Sequence, residues 1–200
     1  MRTNYVLIDF ENVQPDSVDL LAREPFQLIL FVGKNQTKLP FEIAASVQRL
    51  GDSARYVKIH GNGSNALDFH IAYYIGRLAA TDPDAYFHIV SRDTGFEPLM
   101  EHLRSSKVLV DRVTSVGDIA LLRALTAQSA DERLEVALAR LQSMKSSRPR
   151  TVKALNGTVA AALNKTLSEA EVARLVQGLA DAGHVAIVGD KVSYPEAAYA

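Results

Sequence analysis

The 200-residue sequence predicts an α/β fold, a doubly wound parallel sheet of about five strands, followed by a small, mainly helical, winged-helix-like domain. Two observations predict this fold class. Up to about residue 118, short apolar runs alternate with helical patterns, which is typical of a parallel sheet with crossover helices. Beyond residue 118 the apolar spacing is helical until a short hairpin pattern close to the end of the sequence.

The strands are predicted from five apolar runs. The runs are short and rich in strand-forming residues, as expected of parallel strands covered by helices on both faces. They span residues 5–8, 26–32, 54–59, 86–90 and, more weakly, 108–113. Apolar residues at helical spacing predict helices between them, at about 39–50, 65–80 and 96–104. Ligands of such sheets bind beyond the carboxyl ends of the strands, so the residues that follow the strands are the candidates for a site.

The second half of the sequence predicts a separate helical module. Helices are expected at about 118–127, 130–145, 151–164 and 168–182, followed by a hairpin over 185–194. Ser168 with Glu171 three residues later predicts a capping box, and Gly189-Asp190 predicts a two-residue turn. The polar segment 146–150 predicts a joint. We therefore divide the chain into residues 1–118, a helical connector with the first helix of the second module at 119–147, and the winged-helix-like module at 148–200.

Composition excludes several classes of protein. The absence of Cys excludes disulfides, Cys-ligated zinc, iron–sulfur clusters and thiol nucleophiles. The 22 basic and 23 acidic residues give a net charge of -1, so a nucleic acid would need a local basic patch or metal ions. The first apolar run is too short for a signal peptide or a membrane span, and we expect a cytoplasmic protein without membrane contact.

Four acidic side chains are expected to converge at one edge of the sheet. Asp9 closes the first strand, and Asp93 follows the fourth, which often lies beside the first in such sheets. Glu97 lies one helical turn after Asp93, and Asp68 borders the apolar stripe of the second helix. Clustered carboxylates repel one another, and a bound hard cation such as Mg²⁺ or Mn²⁺ relieves that repulsion.

Each acid also has a purely structural interpretation. Asp9 can end its strand in an Asx turn, and Asp68 can complete a capping box started by Asn65. Asp93 and Glu97 can favour a helix N-terminus.

Four segments in the first 115 residues resemble PIN-like nucleases, particularly the NYN branch and its bacterial relatives. They are YVLIDFENV at 5–13, FVGKNQTK at 31–38, GNGSNALDFHIAYYIG at 61–76 and HIVSRDTGFEPL at 88–99. The resemblance implies a PIN-like parallel sheet and a Mg²⁺- or Mn²⁺-dependent ribonuclease site. By position it implies that Asp9, Asp68 and Asp93 bind the metal, with Asn12 orienting the first turn. Glu97 stands where the family commonly has a further acid, often Asp, and is predicted to assist the other three acids at the metal, directly or through water.

Polar residues beside the acids are candidates for contacts with RNA. The loop 34–38 offers cations and amides to phosphate oxygens, or is simply solvated. The segment 62–65 can present backbone amides to a phosphate, or form a turn and a cap. Arg92 can neutralise phosphate or pair with a site acid. The candidate substrate-binding residues are Asn12, Lys34, Asn35, Gln36, Lys38, Asn65, Ser91 and Arg92. Tyr73 and Tyr74 are predicted to be core residues rather than a base-stacking platform.

The C-terminal module gives weaker functional signals. Five cations and no acid lie between residues 140 and 153, a stretch that can guide RNA or form a solvated linker. The helix at 168–182 has one cation against three acids, which disfavours phosphate binding. We therefore expect contacts with a protein partner or self-association through this module, with the hairpin and Lys191 as a weaker nucleic-acid alternative.

The sequence thus predicts a metal-dependent (endo)ribonuclease that uses Mg²⁺ or Mn²⁺, with RNA favoured over DNA as substrate. The alternative is a catalytically inactive RNA-binding or protein-interaction scaffold in which the acids serve only as caps. The two hypotheses differ in whether the acidic cluster takes a divalent cation.

Overall fold

The computed structural model describes residues 2–23, 25–61, 63, 65–127 and 129–195. The chain divides into two compact units, Met1–Ile119 and Ala120–Ala200. The segment 146–150, which the sequence indicated as a joint, lies inside the second unit.

The first unit is built on a five-stranded parallel sheet, as predicted. Its strands are β1 (Asn4–Asp9), β2 (Phe26–Val32), β3 (Ala54–Lys58), β4 (Tyr86–Val90) and β5 (Leu109–Val113). They pair in the order β3-β2-β1-β4-β5. The order reverses between β1 and β4, where Ile8 pairs with Val90. This topology places the carboxyl ends of β1 and β4 side by side at the switch point.

Helices cover the sheet because both of its faces are apolar. The helices are α1 (Phe41–Arg49), α2 (Ala66–Thr81) and α3 (Glu97–Ser105). Ile71 and Ile75 of α2 and Met100 of α3 share a core cluster with sheet residues such as Leu7 and Ile29. Residues of the opposite parity in β1 and β2 are equally buried: Val6, Ile8, Leu28 and Leu30. Apolar burial on both faces explains why the strand sequences do not alternate with polar residues.

In its described residues, 120–127 and 129–195, the second unit consists of helices and one hairpin. Its elements are α4 (Ala120–Thr126), α5 (Ala130–Ser143), α6 (Val152–Ala162), α7 (Glu169–Asp181), β6 (Ala186–Val188) and β7 (Lys191–Ser193). Leu141, Leu155 and Leu179 bring α5, α6 and α7 into one core. The predicted capping box of Ser168 and Glu171 is confirmed, with both of its hydrogen bonds formed. In the part of the chain that the structure describes, no helix combines the length and apolarity needed to cross a membrane.

Candidate active site

Asp9 is the last residue of β1 and is completely buried. Its Oδ1 accepts a hydrogen bond from the backbone N–H of Asn12 at 3.2 Å. Its Oδ2 accepts from the Asn12 side-chain amide at 2.6 Å and from the Ser91 hydroxyl at 2.9 Å. Asp9 therefore shapes the turn after β1, as its structural interpretation requires, and at the same time faces β4. Asn12, predicted to orient this turn, is bonded to Asp9 through both its backbone and its side chain.

Ser91 connects the ends of the two central strands. The residue is fully buried directly after β4. Its hydroxyl donates to Asp9 and accepts a hydrogen bond from the backbone N–H of Asp93 at 3.1 Å. A single buried hydroxyl thus links the carboxylate of Asp9, at the end of β1, to the backbone of Asp93, which follows β4. The topology alone brings these acids together, since parallel neighbours end at the same edge of the sheet.

Asp93 combines this position with a capping role. Its Oδ1 accepts a hydrogen bond from the backbone N–H of Gly95 at 2.7 Å, at the start of a short 3₁₀ turn. The turn spans Thr94–Phe96 and leads into α3. The helix-start interpretation of Asp93 is therefore present in the structure, and it fixes the carboxylate at the edge of the sheet.

Asp68 lies in the first turn of α2 and is partly buried. Its pKa is raised to about 6, first by burial and then by the negative charges of Asp9, Asp93 and Glu11. Because Coulombic repulsion falls with distance, these three carboxylates must lie near that of Asp68. The capping-box interpretation of Asp68 is wrong, since Asn65 adopts a left-handed conformation with φ 63° and its side chain makes no cap hydrogen bond.

Glu97 begins α3, and its carboxylate is paired with Arg112 of β5. Its Oε1 accepts from Arg112 Nε at 3.2 Å and from Nη2 at 2.9 Å, while Arg112 Nη1 donates to the backbone oxygen of Ser91 at 3.1 Å. Glu97 is not among the carboxylates that raise the pKa of Asp68. Arg112 therefore holds the Glu97 carboxylate beside the end of β4. Arg112 was missed because no spacing rule indicates a side chain that reaches from β5 to the end of β4.

Glu11 is a second residue that the sequence reasoning missed. It lies in the turn after β1, two residues beyond Asp9, and it contributes to the raised pKa of Asp68. A Cβ atom built at Gly33 would overlap the Glu11 carboxylate. The bare backbone at Gly33, directly after β2, therefore leaves the space that the Glu11 side chain occupies. The available signal was the pair of acids two residues apart in the first segment of the resemblance.

Two side chains hold the loop after β2 in place. Gln36 was predicted to bind substrate, and Lys58 was not among the predicted site residues. Gln36 accepts from the Gly33 N–H and donates to the Phe10 carbonyl, both at 2.9 Å. Lys58 donates to the backbone oxygens of Gly33 and Gln36, both at 2.6 Å. Gln36 is thus used to hold the loop.

The two predicted lysines of this loop face solvent beside a cavity. Lys34 and Lys38 are exposed, as is Asn35. Lys34, Lys38 and Tyr56 contribute to the lining of a cavity of about 460 Å³. This arrangement leaves the two ammonium groups accessible to an anionic ligand.

The remaining candidates are distributed around the edge. Arg92 and Asn65 are exposed, while Asn62 and Ser64 lie outside the described residues. The prediction that Tyr73 is a core residue is wrong, since its side chain is 60% exposed. Tyr74 is partly buried and packs against the core of the first unit.

The arrangement of the carboxylates limits how a metal ion can bind at this edge. Across the described residues, no group of three or more His, Asp or Glu side chains is placed to hold a metal ion directly. The donor chemistry nevertheless fits Mg²⁺ or Mn²⁺, which prefer carboxylate oxygens, and Mg²⁺ usually keeps several waters and binds one or two protein carboxylates. The edge therefore fits a hydrated cation better than a site formed by protein ligands alone.

The sequence of residues 3–113 matches the family described as the PIN domain. The matched span begins just before β1 and ends with β5, and it contains all four predicted acids together with Glu11 and Arg112. A comparison with curated proteins finds no match.

Proposed function

Because the chain belongs to the PIN domain family, we propose that it is a metal-dependent ribonuclease of the NYN branch that hydrolyses RNA phosphodiester bonds. One observation carries the proposal. Acids from three separate segments meet at the switch point, and the repulsion of Asp9 and Asp93 helps to raise the pKa of Asp68 to about 6. A carboxyl group whose pKa is perturbed by burial and by specific charged neighbours from other segments is a candidate for a functional site.

Asp9, Asp68 and Asp93 are the proposed metal-binding residues, in contact with a hydrated cation partly through its waters, and Glu97 assists directly or through water. The cation supplies Lewis-acid stabilisation of the phosphodiester and activation of water for its hydrolysis. Ser91 holds the carboxylate of Asp9 in place, and Arg112 holds Glu97 against the end of β4. Asp68, with a pKa of about 6, binds the cation in its deprotonated form, so the affinity for the cation falls as the pH is lowered.

The proposed RNA contacts lie on exposed groups around this edge. Lys34, Lys38 and Arg92 supply cations to phosphate oxygens, and Asn35 and Asn65 supply amide groups. These cations matter because residues 1–118 contain twelve Lys or Arg against fifteen Asp or Glu. Phosphate must therefore be attracted by local positive groups and by the bound cation.

The second unit is proposed to contact a protein partner or a second copy of the chain. The first turn of α7 contains Glu169 and Glu171, and the exposed Arg174 is the cation of this helix. Negative charge at this end of α7 disfavours a phosphate backbone and is compatible with a protein surface.

A catalytically inactive RNA-binding scaffold is the second candidate function. It is favoured by the hydrogen bonds that Asp9 and Asp93 already make to the turns beside them. In that case the acids shape the edge of the sheet without binding a cation.

Cleavage assays decide between the two functions. We expect the wild type to cleave RNA with Mn²⁺ and not with chelator, and the Asp93→Asn variant to be inactive under both conditions. Single-stranded and structured RNA and DNA are compared as labelled substrates. Asp84→Asn is the matched control, since Asp84 is exposed and precedes β4 at the opposite edge of the sheet. Equal cleavage by wild type and Asp93→Asn, or no cleavage of any substrate by the wild type, would contradict the enzyme.

Thermal unfolding tests cation binding independently of cleavage. A cation that binds only the folded state raises the melting temperature. Mn²⁺ should therefore stabilise the wild type and Asp84→Asn, and have little effect on Asp93→Asn. An equal shift in all three proteins would place the cation elsewhere.

A further inference from the structure

One face of α2 carries large aromatic side chains that do not contribute to the core. Phe69 is 71% exposed and Tyr73 is 60% exposed. They lie four residues apart, on the same side of the helix, and Arg77 continues the row by another four residues. The buried stripe of α2 consists instead of Leu67, Ile71 and Ile75. Folding of the first unit therefore does not explain the two exposed rings.

Cationic groups lie directly beside the rings of Tyr73 and its neighbour Tyr74. The guanidinium carbon of Arg77 is 5.7 Å from the ring centroid of Tyr73 and 4.7 Å from that of Tyr74. Arg55 of β3 lies 5.5 Å from the Tyr74 ring. Tyr73 and Tyr74 pack edge to face, with centroids 5.7 Å apart. Between Phe69 and Thr81, α2 contains no Asp or Glu. The face thus combines exposed rings with positive charge in a unit that is acidic as a whole.

The row of rings begins at the proposed site. Phe69 directly follows Asp68 in the first turn of α2, at the edge of the sheet that carries the acids. Tyr73 lies one turn further along the helix, about 6 Å away along its axis, and Arg77 a similar distance beyond. A polymer strand that reaches the acids can therefore continue along the same helix.

We propose that the face formed by Phe69, Tyr73 and Arg77 stacks the unpaired bases of single-stranded RNA that extends from the acidic edge. This inference rests on the proposed function for the identity of the polymer. Exposed aromatic rings bind bases of any sequence by stacking, while neighbouring cations attract the backbone. A duplex hides the faces of its bases inside the stack, so this surface selects unpaired strands. The guanidinium groups beside the rings favour a polyanion over an apolar protein surface.

The absence of Trp from the chain permits a direct test of stacking. Phe69→Trp and Tyr73→Trp each introduce a single Trp, whose fluorescence can be excited selectively, on the proposed face. Phe41→Trp is the control, because Phe41 is 80% exposed on α1. Each protein is titrated with oligouridylate in the presence of chelator. We expect quenching at positions 69 and 73, little at 41, and none with duplex RNA. Equal quenching at all three positions, or none at 69 and 73, would overturn the proposal.

Truncation of the rings gives the second measurement. In chelator, the double variant Phe69→Ala/Tyr73→Ala should bind single-stranded RNA about tenfold or more weakly, with duplex affinity unchanged. Phe41→Ala should bind like the wild type, and Tyr73→Phe should retain the affinity because its ring is kept. Unchanged binding by the double variant contradicts stacking.

Two further readouts separate the possible failures. If the wild type does not cleave RNA with Mn²⁺, the proposed nuclease activity is contradicted. The quenching and affinity measurements in chelator do not depend on cleavage, so they still test whether the face stacks bases. Sedimentation of wild type and double variant tests a protein occupant. If the wild type is a dimer and the double variant a monomer, the face is an interface between copies of the chain, and the stacking proposal is wrong.

Discussion

Two buried polar pairs lie along the paired strands β1 and β4, and they differ in charge. Towards the amino end of β1, the Nε2 of His88, in the middle of β4, lies 2.9 Å from the Oδ1 of Asn4, and both residues are buried. At the carboxyl end, the Ser91 hydroxyl lies 2.9 Å from a carboxylate oxygen of Asp9, again with both residues buried. The same pair of strands, at the same depth of burial, therefore positions one His–Asn pair and one Ser–Asp pair.

The difference lies in what surrounds each pair. Burial lowers the pKa of His88 to about 4, so the ring is neutral near neutral pH, and the Asn4 amide donates to the backbone oxygen of Arg2. That pair is satisfied within the strands. At the other end, further carboxylates from α2 and the loop after β4 share the space, and the pKa of Asp68 rises. Burial of a polar group is therefore a weak indicator of function, and convergence of like charges from separate segments is a stronger one.

Substituting one buried residue of each pair should separate activity from stability. We expect Asp9→Asn to lower kcat in Mn²⁺ by about a thousandfold, because it removes a charge from the proposed metal-binding edge. His88→Gln should destabilise the fold and leave cleavage per folded molecule within about twofold. Both are measured at saturating RNA, with the folded fraction taken from circular dichroism. An equal loss of activity in both variants would remove the functional distinction between the two ends.

Acid should destabilise the folded protein through the buried His88. Between about pH 6.5 and 4 the unfolded chain protonates His88 while the folded state does not, so the free energy of unfolding falls as the pH is lowered. The full shift corresponds to about 3 kcal/mol. Asp68 acts in the opposite direction, since below about pH 6 the folded state takes up a proton that the unfolded chain binds only near 3.8.

Urea denaturation across this pH window measures both contributions. Relative to the wild type, Asp68→Asn should lose stability more steeply on acidification, and His88→Gln should lose it less steeply. Parallel pH profiles for the three proteins would contradict both assignments.

The smallest effect is expected at the ion pair between Arg112 and Glu97. Arg112→Gln breaks the ion pair with Glu97. The Arg112 side chain is 16% exposed and the Glu97 side chain is 48% exposed. Because the Glu97 end is solvated, we expect a loss of stability below about 1 kcal/mol and a decrease in cleavage below about tenfold. Arg104→Gln is the control, since its pair with Asp111 is about half exposed at both ends. A loss of activity as large as that of Asp9→Asn would place Arg112 at the centre of the site.

The sheet and the acids at its edge could be predicted because they depend on local patterns and topology. Continuous apolar runs indicated the five strands, and parallel pairing of β1 with β4 brings residues after those strands together. Asp9 and Asp93 were therefore identified from their positions alone. The hairpin and the Ser168 cap depended on equally local signals.

Other features depended on contacts that spacing does not encode. Arg112 reaches from β5 to the backbone of Ser91 and to Glu97, and Lys58 reaches from β3 to the loop after β2. Tyr73 was misplaced because the helical stripe of α2 is narrower than its apolar composition indicated. Asn65 was interpreted as a cap although its backbone is left-handed, a conformation that the residue type permits and does not require.

Gly33 shows how a position without a side chain can determine the charge balance of a neighbouring site. A methyl group at this position would overlap the Glu11 carboxylate. Displacing Glu11 would take one negative charge away from Asp68 and remove part of the repulsion that raises its pKa. Among relatives that keep every acid, a change at this glycine alone would therefore alter the acidity of the site, and an inventory of charged residues would not detect it.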